Sequence, residues 1–119
     1  MQLNRLLLVE DNDALTRMLT RLLEPHCQSL EKACCLAEVK SLRKKGSEWD
    51  VVLSDYNLPD GNGEDLCLWL RREEKWTGGF LLVSGRFRPE GSCLEYDFLP
   101  KPFAFGELLQ ALEKLSSAV

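Results

Sequence analysis

The stretch Val51-Val52-Leu53-Ser54-Asp55 decides the predicted fold. Its three apolar residues indicate a buried strand, and a single carboxylate follows at the carboxyl end of that strand. Residues 58–63, Leu-Pro-Asp-Gly-Asn-Gly, then turn the backbone before the next helix. A carboxylate at the end of a buried strand, beside a tight loop, is placed to react. Asp55 is therefore the candidate reactive residue of the chain.

The size and composition are typical of one globular domain. The 119 residues allow a single core but are too few for two ordinary domains. No apolar run approaches the roughly 20 residues needed to cross a bilayer. Residues 1–5 also lack the layout of a secretion signal. We expect a cytoplasmic protein without membrane contact.

Charge and cysteine content argue against two kinds of site. The net charge of −4 disfavours direct nucleic-acid binding, because phosphate contacts need clustered Lys and Arg. The one basic cluster, 43–45, is more typical of a solvated helix end. Five cysteines without a CxxC motif and a single histidine, His26, disfavour a zinc site. We expect reduced thiols that are mostly small buried side chains.

Apolar runs alternate with amphipathic segments along the chain. This alternation predicts an α/β fold with a parallel sheet and helices on both faces. The three most apolar strands belong in the centre, which favours the flavodoxin-like, doubly wound five-stranded order 2-1-3-4-5. Strands are predicted at 6–9, 27–33, 51–55, 80–83 and 96–99. Helices are predicted from Asn12 or Asp13 to Pro25, with Leu15, Met18, Leu19, Leu22 and Leu23 on one face, and at about 36–45, 64–74 and 105–116.

The connection between the fourth and fifth strands is short. Only residues 85–100 separate Ser84 from Lys101, and the fifth strand takes about five of them. The remainder contains Pro89 and Gly91, so an ordinary helix of roughly 11 residues does not fit. We predict that the fourth helix is missing or shortened to about one turn.

Polar groups follow four of the predicted strands. Because the carboxyl ends of parallel strands meet at one edge of a sheet, these groups are expected to lie together. The carboxylates among them would repel one another without nearby positive charge. A lysine supplies part of this positive charge. A bound Mg²⁺ would supply the rest, since this ion needs few protein ligands and keeps its waters. The residues are Glu10, Asp11, Asp55, Ser84 and Lys101.

These residue types suit phosphoryl transfer. A carboxylate can attack phosphorus, and the reaction needs mainly positioning and charge neutralisation. Asp55 is then the nucleophile, Asp11 and Glu10 hold the metal, and Lys101 and Ser84 contact phosphoryl oxygens. The sequence contains no glycine-rich phosphate loop, so we expect the phosphoryl donor on another molecule.

Over essentially its whole length, the chain resembles a response-regulator receiver domain (CheY-like) of two-component signalling. A single domain over residues 1–119 is expected, either standing alone or as the N-terminal part of a longer protein. The matching motifs are Glu10-Asp11 after strand one, Asp55 with Leu58-Pro59 and Gly63, Ser84 at the family's Thr/Ser position, and Lys101-Pro102-Phe103.

The resemblance implies a signalling role and not an enzyme acting on other substrates. Asp55 would receive a phosphoryl group from a sensor histidine kinase or phosphotransfer protein. Mg²⁺ would be bound by Asp11, Asp55 and the backbone carbonyl of Asn57, with Glu10 acting through water. Arg86 and Asn57 would tune the lifetime of the phosphate.

The resemblance also implies a conformational switch at Ser84 and Phe98. Phe98 lacks the hydroxyl of a tyrosine, so a switch here would work by packing, and plain core packing is an equal alternative. The Lys101–Pro102 bond is predicted to be cis, which an X–Pro bond adopts at low cost.

Two other function classes compete with this interpretation. A phosphorylation-independent interaction module is favoured by the shortened fourth helix, although the intact set of polar residues argues against it. A flavin- or nucleotide-binding protein is disfavoured by the missing phosphate loop.

Overall fold

A computed structural model of the chain describes residues 3–85 and 96–117, apart from the side chain of residue 117. Five strands form one parallel sheet, and a two-stranded antiparallel hairpin follows the third of them. The strands are β1 Arg5–Val9, β2 Ser29–Ala33, β3 Val51–Asp55, the hairpin strands β4 Asn57–Leu58 and β5 Gly61–Asn62, β6 Gly79–Ser84 and β7 Asp97–Pro100. The helices are α1 Asp13–Leu23, a 3₁₀ turn Glu24–His26, α2 Leu36–Lys44, α3 Gly63–Arg72 and α4 Phe105–Ser117.

The sheet order is β2-β1-β3-β6-β7, with every neighbouring pair parallel. With the hairpin left out, this is the predicted order 2-1-3-4-5, so the predicted fold class is confirmed. All five residues of β3 are buried, as expected for the central strand. The register pairs Asp55 with Val83. It thereby brings the ends of β3 and β6 to the same edge.

Two apolar clusters cover the two faces of the sheet. One contains Leu7, Val52 and Leu82 from the strands and receives α2 and α3. The other contains Leu6, Leu8, Val51, Leu53, Leu81 and Val83 and receives α1 and α4. Alternate strand residues point to opposite faces, which is why adjacent residues of β1 and β3 divide between the clusters.

The packing of α1 differs from the prediction. Leu19 and Leu23 are buried, but Met18 is 51% exposed and Leu22 39% exposed. The apolar residues of α1 spread over a wider arc than the contact with the sheet. Helical spacing alone does not show where that contact ends.

The expectation that the cysteines are mostly buried is wrong for the described residues. Cys67 is buried, Cys27 and Cys35 are half-buried, and Cys34 is exposed. Cys34 and Cys35 lie in the loop between β2 and α2, where the apolar character of a thiol does not decide its position.

Two further predictions concern the second half of the chain. The Lys101–Pro102 bond is cis, as predicted. The predicted loss or shortening of the fourth helix falls on residues 86–95, which lie outside the described residues.

Within the described ranges, no helix has the length and apolar character that a membrane crossing requires.

Candidate functional site

Three carboxylates converge where β1 and β3 end. Their ligand oxygens, from Glu10, Asp11 and Asp55, all lie within 4.8 Å of one another. Glu10 and Asp55 are buried, at 5% and 8% exposure, whereas Asp11 is exposed. An ion could therefore approach from the side of Asp11 and meet two desolvated carboxylates.

The backbone at the end of β1 holds Glu10 in place. The amide of Asn12 donates to Glu10 Oε2 at 3.1 Å, and the Thr16 hydroxyl donates to the Glu10 carbonyl at 3.3 Å. Burial raises the pKa of Glu10, the Asn12 amide opposes this rise, and the Asp55 carboxylate adds to it. A cation at this edge would favour the ionised form of Glu10.

Lys101 supplies a positive charge to the carboxylates. Its Nζ donates to Asp55 Oδ1 at 3.1 Å and lies 4.0 Å from Glu10 Oε1. The amide of Lys101 donates to the carbonyl of Ser84 at 2.8 Å. Strand β6 therefore anchors the residue that contacts Asp55.

Ser84 ends β6 at the same edge and is 3% exposed. It directly follows Val83, which pairs with Asp55 in the sheet. The Val83 carbonyl also accepts from the Tyr56 amide at 2.9 Å, which continues the contact beyond β3. Ser84 is thus the residue that follows Val83, the partner of Asp55 in the sheet.

Gly63 allows α3 to begin against the end of β3. A Cβ at this position would overlap Leu82 Cδ1 and lie 2.8 Å from the Asp55 carbonyl oxygen. The Gly63 amide donates to the Tyr56 carbonyl at 2.8 Å. The absence of a side chain at Gly63 therefore permits the close approach that fixes the backbone of Asp55.

Asn57 and Phe98 are the remaining predicted site residues that the structure describes. Asn57 is exposed in the hairpin, where it pairs with Asn62. Phe98 is half-buried in the edge strand β7 and packs against the cluster that receives α2 and α3. Arg86 lies outside the described residues.

Sequence reasoning missed a contact between the hairpin and α2. Asp60 accepts hydrogen bonds from the amides of Leu36 at 2.9 Å and Ala37 at 3.0 Å. These amides hold the pKa of Asp60 below its ordinary value. The turn around Asp60 is visible in the sequence, but its helical partner, 23 residues away, is not.

Comparisons with known proteins agree with this geometry. A family model described as the response regulator receiver domain matches residues 6–113. The transcriptional regulatory protein TcrA of Mycobacterium tuberculosis is 31% identical over 120 residues, which cover 94% of this chain and 46% of TcrA. The sensor kinase CckA of Brucella abortus is 30% identical over 115 residues, which cover 92% of this chain and 12% of CckA. The chain thus spans less than half the length of these relatives.

Solved structures with the same fold include two receiver domains. The non-phosphorylated HemR receiver domain of Leptospira biflexa is 32% identical, with a TM-score of 0.78 and coverage of 96% of this chain and 94% of HemR. A CheY-like receiver domain of Methylobacillus flagellatus is 26% identical, with a TM-score of 0.79 and coverage of 94% and 98%. From its sheet order, its convergent acidic residues and these matches, the chain belongs to the response regulator receiver domain family of two-component signalling.

Proposed function

We propose that Asp55 accepts a phosphoryl group from a phosphohistidine of a sensor histidine kinase or phosphotransfer protein, in a Mg²⁺-dependent reaction. The main support is the contact of 3.1 Å between Lys101 Nζ and Asp55 Oδ1, within a group of three carboxylates. A lysine in this position can pass from the free carboxylate to the oxygens of a phosphoryl group. The domain takes part in its own phosphorylation and is not otherwise an enzyme.

The transfer step needs few groups from this chain. An oxygen of Asp55 forms a bond to phosphorus while the bond from phosphorus to the histidine nitrogen breaks. The Asp55 side chain is 10% exposed, so its oxygen meets the donor with little competing water. Lys101 and the Ser84 hydroxyl would then contact the phosphoryl oxygens and offset their charge.

The donor set fits Mg²⁺. Glu10, Asp11 and Asp55 offer hard oxygen ligands, with the backbone carbonyl of Asn57 completing the proposed set and Glu10 acting through water. When bound, the ion neutralises charge on the phosphoryl oxygens during transfer. Asp11 is the exposed member, which suits an ion that retains several waters.

Ser84 and Phe98 are proposed to relay the modification. Ser84 is buried at the end of β6, and Phe98 of the adjacent strand β7 pairs with Leu82 of β6. A shift of the Ser84 hydroxyl toward the phosphate would change the space beside the half-buried Phe98 ring. The signal would then leave the site as a change in packing.

The remaining predictions concern the extent of the domain, its location and nucleic-acid binding. We propose one receiver domain over residues 1–119, standing alone or joined to further segments. The cytoplasmic location and the absence of direct nucleic-acid binding stay predictions.

Intact-mass spectrometry after incubation with acetyl phosphate tests the proposal. Wild type with Mg²⁺ is expected to gain the mass of one phosphoryl group, whereas Asp55→Asn or added chelator abolishes the gain. Asp97→Asn, in β7 away from Ser84, is the control and should be modified like wild type. An unmodified wild type, or an Asp55→Asn variant modified to the same extent, would contradict the proposal.

A further inference from the structure

Two thiols and a carboxylate meet in the loop that leads into α2, at a place separate from the Asp55 cluster. The cysteine spacing disfavours a zinc site in the sequence, but the fold brings a carboxylate to two adjacent thiols. We propose that Cys34, Cys35 and Glu38 form a second metal site, which binds a thiophilic dication of the Zn²⁺ and Cd²⁺ class. The site differs from the acidic cluster in ligand type and in the strand that delivers it. It follows β2, the edge strand, whereas the Asp55 cluster follows the central strands.

The distances match one shared ion. One ligand atom from each of the three residues lies within 4.8 Å of the other two. Two thiolates bound to one Zn²⁺, at about 2.3 Å each, lie no more than about 4.6 Å apart. The ligands of a tetrahedral Zn²⁺ site lie about 3.8 Å apart, so side-chain movements of up to about 1 Å would close the site.

The backbone around this site is already fixed. The Cys34 amide donates to Glu38 Oε1 at 2.7 Å, which holds Glu38 over the start of α2. Cys35 occupies the N-cap position of α2 but makes no capping hydrogen bond with its side chain. Asp60 from the hairpin accepts from the helix amides instead. The fold therefore does not require the Cys35 thiol for capping.

The ligands are accessible and suit a soft ion. Cys34 and Glu38 are exposed and Cys35 is half-buried, so an ion can enter from solvent. Two thiolates select Zn²⁺ or Cd²⁺, whereas Mg²⁺ prefers the all-oxygen set at Asp55. Binding releases the two thiol protons. Three anionic ligands and one dication leave one negative charge beside the N-terminus of α2, which also receives the Asp60 carboxylate.

Titration with Cd²⁺ in excess Mg²⁺, with the thiols kept reduced, tests the site. Wild type is expected to show the ultraviolet charge-transfer absorption of cadmium-bound thiolates, complete at one equivalent and reversed by excess EDTA. Removing a residue that hydrogen-bonds to a metal ligand typically weakens metal affinity about 10- to 100-fold, and removing the ligand itself should cost at least as much. Cys34→Ser and Cys35→Ser should therefore each weaken Cd²⁺ binding about 100-fold or more. Glu38→Gln should weaken it about tenfold.

The controls separate this site from other thiols and from misfolding. Cys27→Ser should leave the absorption unchanged. Serine is a favoured N-cap residue, so Cys35→Ser should keep the helical circular dichroism of wild type. Absent absorption in wild type, or absorption unchanged in both Cys34→Ser and Cys35→Ser, would overturn the proposal.

Discussion

Gly63 decides how closely α3 approaches the end of β3, and so where Asp55 lies. We predict that Gly63→Ala destabilises the fold by roughly 1–3 kcal/mol, because the new methyl group meets the Asp55 carbonyl and the Leu82 side chain. Phosphorylation from acetyl phosphate should slow in the fraction that still folds. Urea denaturation measures the first effect and intact-mass kinetics the second.

Gly106→Ala is the matched control for this substitution. Gly106 lies in α4, and a Cβ there would meet nothing within 4 Å. Its stability should equal or exceed that of wild type, since Ala has the higher helix propensity. Equal stabilities for Gly63→Ala and wild type would show that the close approach does not constrain the site.

The contact between Asp50 and Arg5 is expected to make the stability of the fold depend on pH. The guanidinium of Arg5 donates to both Asp50 oxygens, at 3.1 and 3.2 Å, and holds the pKa of Asp50 below its ordinary value of 3.8. The stabilisation is therefore fully present well above pH 3.8 and is lost as the pH falls through the lower folded-state pKa. Asp50→Asn should be less stable than wild type at neutral pH, and the difference should close in acid.

Denaturation of both proteins across acid and neutral pH checks this prediction. Glu73→Gln, at the exposed end of α3, controls for the general loss of one negative charge. A stability difference between Asp50→Asn and wild type that grows in acid would contradict the assigned sign.

At the scale of elements, the buried residues Trp49 and Trp76 connect the loops that precede β3 and β6. The Trp76 indole donates to the Trp49 carbonyl at 2.9 Å, and the Trp49 indole donates to Glu31 at 2.9 Å. Trp76→Phe leaves a buried carbonyl without its donor, so we predict a loss of roughly 1–3 kcal/mol in the free energy of unfolding.

The matched control for this prediction is Trp69→Phe. Trp69 is half-buried under Lys40, and within residues 3–85 and 96–117 its indole donates to no group. In chemical denaturation, Trp69→Phe should lower the free energy of unfolding by less than Trp76→Phe does. The reverse order would show that ring volume, and not the hydrogen bond between the loops, determines the effect.

The sequence predicts those strands and site residues that a short local pattern of apolar and polar residues indicates. The apolar residues of β1, β3 and β6 indicate central strands, and the polar residues that follow them indicate one shared edge. Contacts between distant loops have no such signal. The Asp60 cap on α2 and the meeting of Cys34 with Glu38 depend on how the chain folds back, and the exposure of Met18 depends on where the sheet ends.

At the scale of the whole molecule, the carboxylate cluster links ion binding to global stability. Mg²⁺ that binds only the folded state at 100 times its dissociation constant contributes about 2.7 kcal/mol. We therefore predict a rise in Tm on the order of 5–10 °C with saturating Mg²⁺. Without Mg²⁺, Asp55→Asn should be more stable than wild type, because it removes one of the crowded carboxylates.

Thermal denaturation with and without Mg²⁺ measures both effects. Asp11→Asn and Asp55→Asn should lose most of the Mg²⁺-dependent gain, and Glu73→Gln should retain it. A gain of equal size in all three variants would mean that the ion binds elsewhere.

The position of the phosphoryl group tests the central claim most directly. Borohydride reduces an aspartyl phosphate to homoserine, so peptide sequencing by mass spectrometry after acetyl phosphate treatment identifies the modified residue. We predict homoserine at position 55 alone, formed only when Mg²⁺ is present. Homoserine at position 11 or 60, or none at position 55, would contradict the assignment of Asp55 as the phosphoacceptor.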